Sequence, residues 1–221
     1  MDLIAIIRSL EELLYEVMGW LVFYPRTLWR IVMRPAAMIR YSAAEQGDKP
    51  AERYADALSP PLMLLITVLF THFVAIAMGD NALAQGPASL VKSVQNLLIV
   101  RALIVAILPL MFTVISMQRR GLEIDRTAMR EPFYSQCFLA VPFVLASQIA
   151  ILVGRHGYDH AWIAALVIFV AGLGWFLWAQ TSWINQLEGQ SGPSAFGRAL
   201  LRTLLALLVA LGVALLIALA A

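Results

Sequence analysis

Five runs of about twenty mostly apolar residues fill the chain from residue 61 onward, and they leave few folds open to it. A backbone crossing roughly 30 Å of hydrocarbon must bond every N–H and C=O internally, so each such run reads as one membrane-spanning helix. The runs are 61–79, 97–117, 135–154, 162–180 and 200–221. Hydrophobic residues make up 61% of the chain and charged residues only 14%, which removes it from the soluble globular class. The expected fold is all-α: a polytopic membrane protein with five transmembrane helices in residues 59–221, preceded by amphipathic interfacial helices in residues 1–58. Pro109 and Pro142 fall inside the second and third spans, where each removes a backbone bond and should kink its helix.

Charge placement predicts the orientation. Thirteen of the sixteen Lys and Arg residues fall before the first span, between the second and third, or on the approach to the fifth, and cytoplasmic loops carry such an excess. The expected location is a bacterial inner membrane, with the N-terminus in the cytoplasm and the C-terminus outside. The opening "MDLIAIIRSLEELLYEV" has Asp2, Glu11, Glu12 and Glu16 where a secretory signal would be basic and then uninterruptedly apolar, so a signal peptide is not expected. The net charge of +2 is too small to suggest a nucleic-acid partner. A single cysteine, Cys137, leaves no intrachain disulfide or multi-cysteine metal site, and among apolar neighbours it reads as a buried small residue.

Ahead of the spans, Leu3, Ile6, Ile7, Leu10, Leu13, Leu14, Val17 and Leu21 recur at helical spacing, with Arg8 and the acids mostly opposite them. Pro25 is expected to interrupt this helix. A basic one follows in "RTLWRIVMRPAAMIRY", where Arg26, Arg30 and Arg34 are spaced four apart and Arg40 comes close behind. Such a segment suits the headgroup layer, with Trp29 sunk into it and the guanidinium groups on lipid phosphates, so Arg26, Trp29, Arg30, Arg34 and Arg40 are candidate lipid-surface residues. The acids of the first helix are unusual for that setting and suggest docking, either on the basic helix or on the loop at 118–131. The stretch "YSAAEQGDKPAERYADALSPP" reads as a polar linker into the first span.

Polar groups inside spans are costly, which makes them candidates for function. His72 lies near the middle of the first span with Thr71 beside it, and Gln136 and Gln148 lie in the third, the most polar span. With no acidic partner in any span, His72 is expected to make an interhelical hydrogen bond, and the third span to be a central packing element. The turn "GRHGYDH" holds His156, Asp159 and His160, a spacing that would share a metal on a helix. Gly154 and Gly157 argue for a turn there instead, so no metal or cofactor is expected. Ala206, Ala210, Ala214 and Ala218 form a small-residue stripe that suits close helix packing, within the chain or against a second copy. No phosphate-binding glycine loop, nucleophile–base pair or intramembrane carboxylate pair is present, and the chain is not expected to be an enzyme.

This layout, with "YPRTLWRIVMRPAAMIRY" leading to "SPPLMLLI", resembles the Yip-type family of five-span membrane proteins. The resemblance implies a membrane-organising scaffold that works through membrane lipids and other membrane proteins or a homo-oligomer. The chain lacks the Asp-Leu-Tyr-Gly-Pro motif of the eukaryotic members. A small permease or channel, bordered by the kinked spans and His72, is the alternative expectation.

Overall fold

The computed structural model describes residues 3–49, 53–79, 94–155, 159–189 and 192–219. Among them are seven helices: α1 (Leu3–Met33), α2 (Pro35–Gly47), α3 (Pro60–Ala77), α4 (Val94–Arg119), α5 (Arg130–Arg155), α6 (Ala161–Glu188) and α7 (Pro193–Leu219). Helices α3 to α7 are long and apolar enough to cross a membrane, so the all-helical, five-span reading holds. Their outward faces carry Phe70, Phe73, Leu103, Val167 and Leu208, all exposed, as hydrocarbon contact requires.

Helix α5 is the centre of the bundle. It packs against α1, α2, α3, α4 and α6, while α7 closes the far side against α4 and α6. Burial along α5 runs without a break from Ser135 to Val141, so the most polar span is also the most enclosed. Without a strong hydrophobic drive between helices in lipid, such packing depends on close backbone approach and on polar bonds. Gly172 of α6 shows the first: a Cβ there would lie 2.5 Å from the Ala146 Cβ of α5.

Two expectations about the N-terminal region are overturned. Pro25 does not interrupt α1, which continues through it to Met33. The proline lies on the exposed side, so the carbonyl it leaves unbonded is not trapped in the core, while Trp20, Phe23 and Leu28 pack on the core around it. The break comes instead at Arg34, whose φ of −141° and ψ of 59° leave the helix before Pro35 starts α2. Because α1 is continuous, its acidic half does not fold back onto its own basic half.

The supposed polar linker is also structured. Residues 41–47 belong to α2, and Tyr54, Ala57 and Leu58 are buried. Its polar composition hid this because one residue, Tyr54, anchors the stretch. Its ring stacks on Tyr134 at 6.1 Å and meets Phe138 at 6.2 Å and Tyr41 at 6.0 Å. Its φ of +58° is strained for a non-glycine residue by about 1–2 kcal/mol, and the buried ring with its bonds offsets that strain.

Helices α6 and α7 both run past the apolar runs at the ends where they meet. Helix α6 extends to Glu188 rather than 180, and α7 starts at Pro193 rather than 200. Gly189, in the left-handed region at φ +62°, supplies the stop. Helices end at their caps, and the hydrocarbon edge need not coincide with them.

Candidate functional site

Helices α1 and α2 and residues 53–59 form a collar at one end of the bundle. Two side-chain bonds fasten it to the bundle. The Tyr24 hydroxyl of α1 pairs with Thr67 Oγ1 of α3 at 3.0 Å, and the Trp175 indole of α6 donates to the Val32 carbonyl at 3.1 Å. Within the collar, Gln46 Nε2 donates to the Tyr54 hydroxyl at 2.8 Å, and the Tyr54 N–H donates to the Glu45 carboxylate.

The arginine stripe divides in this setting. Arg30 donates to Asp56 Oδ2 at 3.0 Å and lies 5.0 Å from the centre of the Tyr41 ring, and the Tyr41 hydroxyl donates to Asp56 Oδ1 at 2.5 Å. Arg26, Arg34 and Arg40 are exposed. Arg30 is therefore a collar residue first, and the other three are the cations turned outward. The Tyr41 hydroxyl bond, with help from Arg30, holds Asp56 below its ordinary value of 3.8 against a smaller opposing effect of burial. Burial and the Asp56 charge push Tyr41 upward, so it stays a proton donor.

One side of α1 is covered by the bundle, through Trp20, Phe23, Thr27 and Ile31. Next to it runs an uncovered apolar stripe of Leu14, Met18, Leu21, Val22, Trp29 and Met33, with Leu21 72% and Trp29 66% exposed. Arg8, Glu12, Arg26 and Arg30 occupy the remaining side. A helix with a braced side, a greasy side and a charged side is suited to lying where hydrocarbon meets water.

Inside the bundle, several polar side chains are paired or turned onto their own helix, whereas His72 Nε2, Ser116 Oγ and Trp183 Nε1 are buried without a hydrogen-bond partner among the described residues. Gln136 and Gln180 exchange both amide bonds between α5 and α6, at 3.0 and 2.6 Å. His72 Nδ1 lies 3.1 Å from an Arg101 nitrogen across α3 and α4, which meets the expectation of an interhelical bond. Thr71 bonds the Thr67 carbonyl of its own helix at 2.8 Å, as Thr113, Ser147, Thr181 and Thr203 each bond the carbonyl four residues back. Gln148 is half-buried, and the described partner of His72 is Arg101. The α7 stripe is used only in part: Ala206 is buried with Ala195 and Ala199, whereas Ala210 and Ala214 are half-exposed, and the Ala218 side chain lies outside the described residues.

The strongest polar contact was not anticipated. Glu188, at the end of α6, receives Arg202 of α7 through both oxygens at 2.7 and 2.9 Å, with side chains 6% and 2% exposed. Arg202 counted only as one of the topology charges in the sequence. An acid closing one apolar helix, with arginines opening the next, was the available signal. Of the histidine turn, His156 lies outside the described residues, while Asp159 and His160 are exposed. Among the described residues no three potential ligands gather for a metal.

Comparison of the chain with known protein families, with curated proteins and with solved structures finds no match.

Proposed function

We propose that this membrane protein is a non-enzymatic scaffold or membrane-organising protein, whose collar engages the lipid surface and partner membrane proteins while the five helices anchor it. One observation carries this reading: the uncovered apolar stripe from Leu14 to Met33 on a helix otherwise fastened to the bundle. A helix held rigidly with an uncovered stripe is built to present that stripe to something, and the flanking arginines favour an anionic surface, each contributing about 1 kcal/mol near it. The proposal includes the orientation read from charge, with the collar on the cytoplasmic face of a bacterial inner membrane, and the Yip-type resemblance of the lead-in to the first span.

The test is reconstitution into liposomes containing anionic lipid, using spin labels one at a time at positions 18, 21, 26 and 29 in a Cys137→Ala background. The reading expects oxygen-favoured, nickel-disfavoured relaxation at 18, 21 and 29 and the reverse at 26. It expects no solute or ion flux above that of empty liposomes. Flux abolished by His72→Ala, or water-like relaxation at all of the labelled positions, sinks it.

A further inference from the structure

Away from α1, two hollows adjoin on the bundle side. The first is a cleft of about 390 Å³ between α3 and α4, walled by residues such as Leu64, Val68, Ala102 and Leu103 and reaching Cys137 of α5. It contains no charged side chain. The second, about 630 Å³, is lined by Leu110 of α4, by Arg126, Thr127 and Arg130, and by Tyr134 of α5. Phe133 lines both, and Leu110 stands one helical turn from Ala106, which lines the first.

The pair has the polarity of a lipid molecule. From Leu98 to Leu110 the lining follows α4 for about 18 Å at 1.5 Å per residue, a length of apolar wall suited to an acyl chain. At the loop end stand two guanidinium groups and no carboxylate. Glu123, Asp125 and Glu131 are near in sequence but line neither hollow, and Asp125 is turned onto the Thr127 N–H at 3.1 Å. Arg130 lies 5.4 Å from the centre of the Tyr134 ring, which holds its charge at the mouth. Guanidinium groups match phosphate oxygens in shape and charge, and an apolar cleft open to the bilayer favours an acyl chain.

We propose that the two hollows form a binding site for one anionic phospholipid, with an acyl chain between α3 and α4 and the headgroup phosphate on Arg126 and Arg130. The site shares no residue with the α1 stripe, so its failure would leave the scaffold reading intact.

The full-length protein, in detergent with phosphatidylglycerol or phosphatidylethanolamine at equal concentration, is examined by native mass spectrometry. Retention of phosphatidylglycerol is expected to exceed that of phosphatidylethanolamine by about tenfold or more, given two arginines at the headgroup. Arg126→Gln with Arg130→Gln should remove that preference. Arg119→Gln with Arg120→Gln removes equal charge outside the hollow and should keep it. Ala102→Leu with Ala106→Leu, checked for an unchanged melting temperature, should reduce retention of the lipid. Equal retention of the two lipids, equal loss in both arginine pairs, or displacement by soluble glycerol phosphate overturns the proposal, the last pointing to a free-phosphate site.

Discussion

Glu188 and Arg202 face each other almost without water, with Arg198 3.9 Å from the same carboxylate, and at such a site the desolvation of each charge is compensated chiefly by its partner. Removing one charge is therefore far worse than removing both. Glu188→Gln is expected to destabilise the bundle by about 3–5 kcal/mol, whereas Glu188→Leu with Arg202→Met should recover most of that loss, as read by reversible unfolding in mixed micelles. An equal cost for the single and double variants would show that the pair is not coupled. Gln136 and Gln180 present the neutral version of the same problem. Two reciprocal bonds in a buried setting predict a coupling of about 1–2 kcal/mol in a double-mutant cycle with leucine at each position, at or above the usual range for membrane hydrogen bonds. A coupling near zero would mean that each amide finds another partner when its mate is lost.

At the scale of elements, α5 and α6 approach so closely at Gly172 that an added methyl meets the Ala146 side chain. Gly172→Ala is expected to cost about 1–3 kcal/mol through overpacking, and Ala146→Gly in the same chain should restore it. Failure of the rescue would place the strain elsewhere. The collar contains an acid-sensitive contact. Asp56 is held below its ordinary carboxylate range in the folded state, so it stabilises the collar above that range and loses the contribution as pH falls through its lowered value. The pair with Arg30 is partly exposed, which limits the effect to no more than about 1 kcal/mol. Hydrogen exchange in α2 should therefore quicken in Asp56→Asn at pH 7, and the difference from the unaltered protein should close as pH falls through the lowered Asp56 value. A difference that persists unchanged down the acid range would assign the loss to packing instead.

For the whole molecule, the collar and the bundle are one packed body rather than a soluble head on a linker. Tyr54, buried between α2 and α5, joins them. Tyr54→Ala is expected to free the collar by removing a buried aromatic, at about 3–5 kcal/mol by analogy with other large-to-small aromatic replacements. Limited proteolysis within residues 41–58 reads this directly, and unchanged resistance would show that the ring is not the anchor. The stripe of α1 acquires a direction only through this anchoring, since a loosely tethered amphipathic helix could turn any face toward lipid.

Local chemistry determined the five spans, the helical character of the N-terminal region and the central place of the third span, because hydrocarbon length and backbone bonding act on each run separately. Pro25 and the residues around Tyr54 were misleading because their outcome depends on neighbours distant in sequence. A proline is tolerated where its freed carbonyl faces outward, and a polar stretch folds where one aromatic side chain finds a socket. Tertiary structure alone chose the partners: Gln180 for Gln136, Glu188 for Arg202, Asp56 for Arg30. A charge or an amide announces that it needs a partner, but only the packing of helices decides which group stands within 3 Å of it.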